Sequence, residues 1–171
     1  MNEFLTNLST RRKQAYAALC LAKFCSVKRI SHPTINELIE HLLTLPICTD
    51  LPGWETTLSQ LSLTGLGDTL PSSVEAAIPK ELKGTFNNLI CCTVEVGMSN
   101  MYTASTDDPL KYLLKCTAII TNLGIDPPTV AGAFLPEQDE RDNYWGDWGK
   151  PVSAAEYNAM LVSYKRIIGE S

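Results

Sequence analysis

The sequence contains little histidine and no recognisable catalytic motif. His32 and His41 are the only imidazoles among its 171 residues. The patterns G-x-x-x-x-G-K-[ST], G-x-G-x-x-G, H-E-x-x-H and G-x-S-x-G do not occur. His41 follows Glu37 by one helical turn, a spacing typical of a weak surface contact rather than of a catalytic base with its orienting carboxylate. We therefore predict no catalytic residue and a protein that is not an enzyme.

Long apolar runs are also missing. The longest, such as AALCLA at 17–22, are far shorter than the roughly 18 residues needed to span a bilayer. The first residues, MNEFLTNLSTRRKQ, do not have the apolar segment of a secretory signal. We expect a cytoplasmic protein without a membrane partner. With 44% hydrophobic and 19% charged residues, the composition predicts one globular domain over 1–171.

Metal-binding motifs are absent although the chain has six cysteines. No C-x-x-C occurs, and we expect all six cysteines to be reduced thiols that act as small core residues. A zinc site of Cys20, Cys25, His32 and His41 is disfavoured, because five residues along a helix turn the two thiols about 140° apart. The segment after Asp139 lacks the glycine of a calcium loop. We predict no metal and no cofactor.

Hairpin turns and alternating strands are missing, whereas helical patterns recur along the whole chain. The predicted helices lie at about 11–27, 34–45, 50–61, 72–78, 80–102, 105–123 and 153–168. Four capping boxes are predicted, at Thr34–Glu37, Ser72–Glu75, Ser105–Asp108 and Ser153–Glu156. LICCTVEVG (89–97) also suits a strand, but its flanks favour helix. We predict an all-α fold of six to eight helices, as a compact bundle or as HEAT-like stacked antiparallel hairpins.

Basic residues are unevenly distributed. No Lys or Arg occurs between Ile30 and Pro79, a stretch with six acidic residues, and the net charge is −5. The run TRRK at 10–13 is too small a basic patch for nucleic acid on an otherwise acidic chain, and we expect it to be a solvated first turn. No nucleic-acid partner is predicted.

The segment PEQDERDNYWGDWGKP (136–151) combines five acidic residues with three aromatic rings. Two hypotheses remain open for it. The rings either fold back and fasten the segment to the helices, or point outward as anchors surrounded by carboxylates. Both hold if the two tryptophans point in different directions, which the neighbouring glycines permit.

Carboxylates and rings of this kind are suited to a basic protein partner, because acidic groups speed the encounter and aromatic rings anchor it. The residues predicted to contact that partner are Glu37, Glu40, Glu55, Asp139, Glu140, Asp142, Tyr144, Trp145, Asp147 and Trp148.

Over its whole length the chain resembles the single-domain bacterial immunity proteins that neutralise toxins delivered between neighbouring cells by contact-dependent inhibition. The likeness is one of overall type, acidic and helical, without a shared motif. It implies an inhibitor of a basic, nuclease-type toxin domain. Two alternatives remain open: a structural or adaptor subunit of a larger complex, and a helical metal-dependent enzyme that uses Glu37, Glu40 and His41 or the acidic residues at 139–147.

Overall fold

The computed structural model describes residues 2–129, 134 and 144–169. Within them the chain is all-helical, with eight α-helices and no strand, which confirms the predicted fold class. The helices are α1 (Asn2–Asn7), α2 (Thr10–Lys28), α3 (Pro33–Leu42), α4 (Leu51–Gln60), α5 (Ser72–Ala76), α6 (Lys83–Met98), α7 (Asp108–Asn122) and α8 (Ala154–Ile168).

The long helix α2 lies at the centre of the molecule. Every residue from Thr10 to Ala22 is buried, and α3, α6, α7 and α8 all pack against this helix. The stretch 15–22 is apolar on all sides, so one covering face is not enough to remove it from water. The core therefore forms around α2 rather than between two layers.

The basic first turn of α2 is buried, so the expected solvated turn is wrong. Arg11, Arg12 and Lys13 are only 0%, 1% and 9% exposed. Arg12 pairs with Glu156 of α8 at 2.6 Å, and the Lys13 ammonium donates to the carbonyl of Leu8. The turn is covered because α2 is surrounded by other helices from its first residue onward.

Helix α8 runs parallel to α2. Its first turn meets the start of α2 through the Arg12–Glu156 pair. Its last residue, Ile168, lines the same groove as Arg29, which ends α2.

Helix α6 runs antiparallel to α2 and contains the segment LICCTVEVG, so the helical prediction for that segment is confirmed. Gln14 near the start of α2 donates to the Thr93 carbonyl at 2.9 Å. Near the end of α2, the Phe24 and Phe86 rings lie 6.3 Å apart between centroids.

Of the four predicted capping boxes, only the one at Ser153 and Glu156 forms. At α3 the N-cap is His32, whose Nδ1 accepts from the Thr34 amide at 3.2 Å. Pro33 occupies the first helical position, which suits its fixed φ and missing N–H and moves the start of the helix one residue earlier. Helices α5 and α7 begin after Pro71 and Asp107, without a side-chain cap.

All six cysteines are free thiols. Four are buried, and Cys48 and Cys91 are half-buried. None of the described helices has both the length and the apolar character that a bilayer crossing requires.

Candidate functional site

Seven of the ten predicted contact residues lie in the described part of the chain. Asp139, Glu140 and Asp142 lie outside it. The seven come from three places: α3, α4, and a short 3₁₀ turn at Gly146–Trp148 with the two residues before it.

The loop 99–107, between α6 and α7, contacts two of the predicted carboxylates. The Tyr102 hydroxyl donates to Glu55 of α4 at 2.9 Å, and the Ser105 hydroxyl donates to Asp147 of the 3₁₀ turn. The hydrogen bond from Tyr102 also raises the pKa of its own phenol, because ionisation would place two negative charges together. One loop thus joins acidic groups that are far apart in the sequence.

The aromatic residues of the acidic segment differ in exposure. Tyr144 is 83% exposed, whereas Trp145 and Trp148 are half-buried and Trp148 packs against the core. The Tyr144 and Trp145 rings meet edge to face, 4.9 Å apart between centroids. Trp145 also covers Arg11, whose guanidinium carbon lies 4.7 Å from the ring centroid. Tyr144 is therefore the ring of this segment that presents most surface to solvent.

We use the name tyrosine–carboxylate surface for the group formed by Glu55, Tyr102, Asp107, Tyr144 and Asp147. Glu55 is half-buried and the other four are exposed. Tyr102 is 72% exposed, which makes it the second outward ring. Asp107 belongs to this group because it lines the same cleft as Asp147.

That cleft has a volume of about 260 Å³ and lies where the starts of α2 and α7 meet the 3₁₀ turn. Most of the residues that line it are polar or charged. They are Thr6, Thr10, Lys13, Thr106, Asp107, Pro109, Leu110 and Asp147. Its polar lining and the two carboxylates suit a cationic side chain better than an apolar one.

Glu37 and Glu40 form a separate group on α3. Both are exposed. Glu40 lies close enough to Tyr157 of α8 that its charge, together with burial as the larger cause, raises the pKa of that phenol. The structure therefore connects Glu55 with Asp147 through one loop, whereas Glu40 has Tyr157 of α8 as its neighbour.

The buried Arg11 side chain contacts two residues of the acidic segment, Trp145 and Gly149. Its Nε donates to the Gly149 carbonyl at 2.9 Å, and its Nη1 donates to the carbonyls of Leu45 and Cys48 at 2.7 and 2.6 Å. Burial lowers the pKa of this guanidinium to about 10, because desolvation disfavours its charged form.

His41 is half-buried, with its ring stacked on Trp54 at 4.9 Å between centroids. Its Nε2 donates to the Trp54 carbonyl at 3.0 Å. Burial lowers the pKa of His41, although that hydrogen bond acts in the opposite direction. The described residues contain no group of three or more His, Cys, Asp or Glu side chains that could hold a metal ion.

Sequence reasoning missed Arg11, Tyr102 and Asp107. A partial signal for Arg11 existed, since the stretch 15–22 directly after it is apolar on all sides and is typical of a buried helix. No comparable signal exists for Tyr102, because its partner Glu55 is 47 positions away.

The fold and the candidate site define an all-α protein with an exposed surface of tyrosines and carboxylates. Comparison with known proteins found no matching family model, no matching curated protein and no matching solved structure. The function is therefore inferred from the residues of this chain alone.

Proposed function

We propose that this chain is an acidic protein-binding module that binds and inhibits a basic partner, as an immunity protein does when it blocks a nuclease-type toxin domain in the cytoplasm. The observation that carries the proposal is that two tyrosines and two aspartates of the tyrosine–carboxylate surface are exposed, whereas Arg11, Arg12 and Lys13 are buried. Arg11 and Arg12, two of the fourteen basic residues, are thereby withdrawn from contact with a partner.

The electrostatic part of the proposal follows from what a nuclease requires. A nuclease carries a cationic groove for the phosphate backbone. Exposed carboxylates on the inhibitor accelerate the encounter with such a groove and compete with the nucleic acid for its cations. Glu55, Asp107 and Asp147 supply these charges on the tyrosine–carboxylate surface, and Glu37 and Glu40 add a second acidic group.

The affinity requires anchors as well as charge. Tyrosine is enriched among the residues that dominate binding energy, because its ring buries a large apolar area at low entropy cost while the hydroxyl forms a hydrogen bond. Tyr102 and Tyr144, 72% and 83% exposed, are placed to serve as these anchors.

The test starts from the neighbouring gene. We expect it to encode a large secreted protein with a small basic C-terminal domain, and binding to that domain, with inhibition of its nuclease activity, is then measured. We expect Tyr144→Ala to weaken binding and so raise the dissociation constant at least tenfold. We expect Asp147→Lys to slow association about tenfold at low salt, an effect that salt removes.

The matched control is Asp126→Lys, the same substitution at another exposed aspartate. Asp126 lies beyond the far end of α7, whose 15 residues place it roughly 22 Å from the tyrosine–carboxylate surface. If Asp147→Lys and Asp126→Lys slowed association equally, the result would contradict the proposal that the partner binds at the tyrosine–carboxylate surface. Binding without nuclease inhibition would instead favour an adaptor subunit.

A further inference from the structure

Arg11 is a fully buried cation without a carboxylate among its described contacts. It is 0% exposed, its three hydrogen bonds to the described residues go to backbone carbonyls, and its Nη2 has no hydrogen-bond partner among those residues. Burying an arginine without a counter-charge costs free energy. The hydrogen bonds of Arg11 and its contact with Trp145 offset part of that cost.

The carbonyls that Arg11 binds belong to two separate segments. Leu45 and Cys48 lie in the connection between α3 and α4, and Gly149 ends the segment 144–149, which we call the strap. Within the strap, Trp145 lies over the guanidinium. Arg11 thus bridges the strap to the connection that leads into α4.

We propose that Arg11 is the positioning residue of the tyrosine–carboxylate surface: from the interior it sets where the strap, with Tyr144 and Asp147, lies relative to Glu55 on α4. That the strap binds a partner rests on the function proposed above. The positioning itself rests only on the contacts of Arg11.

The chemistry of arginine suits this task. Its planar fork of N–H groups reaches carbonyls in different directions while its face stacks on an aromatic ring. A lysine ammonium keeps the charge but has neither the fork nor the flat face. Residues 144–152 also contact the rest of the molecule through the hydrogen bond from Ser105 to Asp147 and the backbone bond from Val152 to the Pro46 carbonyl, 2.9 Å long.

The experiment compares amide hydrogen exchange in the free protein for three variants: Arg11→Met, Arg11→Lys and Gln14→Met. Gln14 is the matched control, since it is also fully buried on α2 but donates to Thr93 of α6. Exchange is measured by mass spectrometry on fragments that cover 144–152 and, as an internal reference, α7.

We expect Arg11→Met to accelerate exchange in 144–152 at least tenfold more than in α7, and Arg11→Lys to restore part of the protection. Gln14→Met should change both regions by the same factor. If Arg11→Met does not fold, the test rests on Arg11→Lys, in which exchange should be accelerated more in 144–152 than in α7. Equal acceleration of both regions in the arginine variants would overturn the proposal.

This outcome is independent of the proposed function. A protein that binds no toxin domain can still show the selective loosening of the strap. Conversely, a protein that binds and inhibits a nuclease, with no regional difference in exchange, would refute the role of Arg11 and leave the proposed function intact.

Discussion

The three consecutive basic residues of α2 are buried by three different means. Arg11 is held by carbonyls and a tryptophan ring, Arg12 by the Glu156 carboxylate, and Lys13 by the Leu8 carbonyl. The Glu156 carboxylate is a counter-charge for Arg12, whereas the described hydrogen bonds of Arg11 go to neutral carbonyls. Arg11 and Lys13 donate hydrogen bonds to neighbouring backbone carbonyls, which is one way in which a charged side chain can be accommodated away from water.

His41 should make the stability depend on pH near neutrality. Because burial lowers its pKa in the folded state, the unfolded chain binds its proton more readily. The contribution of His41 is therefore fully present above its ordinary pKa of about 6.5 and is lost as the pH falls through the lower folded value. We expect urea-unfolding midpoints to decrease from pH 7.5 to pH 5, and His41→Phe to flatten that decrease.

The control for this prediction is His32→Asn, which keeps a capping residue at the start of α3 and retains His41. A decrease that persists unchanged in His41→Phe would show that other groups cause it.

At the scale of helices, one of the four predicted capping boxes forms, the one at the start of α8. Ser153, Glu156 and Gly169 correctly marked the ends of α8, because a cap is formed by residues three or four positions apart. Three other predicted boxes failed. At α3, Pro33 fixed the start one residue earlier than Thr34 suggested. At α5 and α7 the helices start without any side-chain cap.

Helix α6 offers a test of close packing against α2. A Cβ on Gly97 would lie 2.6 Å from Gln14 Oε1 and 3.0 Å from Leu45 Cδ2, both in the interior. We expect Gly97→Ala to lower the free energy of unfolding by about 1–3 kcal/mol, because overpacking outweighs the gain in helix propensity.

Gly84→Ala is the matched control on the same helix. A Cβ there meets nothing within 4 Å, so the substitution should be neutral or should stabilise by about 0.5–1 kcal/mol. Similar stability of the two variants in chemical denaturation would contradict the packing described for α2 and α6.

At the scale of the molecule, the arrangement around one central helix divides the thiols into two classes. Cys48 and Cys91 are half-buried, while Cys20, Cys25, Cys92 and Cys116 are buried. Burial raises the pKa of Cys25 and of Cys116 to about 12, which suppresses the reactive thiolate further.

We expect a thiol reagent at pH 8 to label two cysteines of the native protein quickly and the other four only at the rate of unfolding. Counting labels by intact mass over time measures both phases. The double variant Cys48→Ser with Cys91→Ser should lose the fast phase. Rapid labelling of all six would mean that the core is not closed around α2.

The sequence by itself determined the helical class, the approximate spans of the long helices and the acidic balance of the chain. These properties follow from composition and from patterns that repeat every three or four residues. Tertiary structure alone decided which charges face solvent and which acidic residues meet. The contacts that build the candidate site join Tyr102 to Glu55, Ser105 to Asp147 and Arg11 to Gly149, across 47, 42 and 138 positions. Such pairs depend on how whole helices pack around α2, because no local rule relates residues that approach only when the entire core closes.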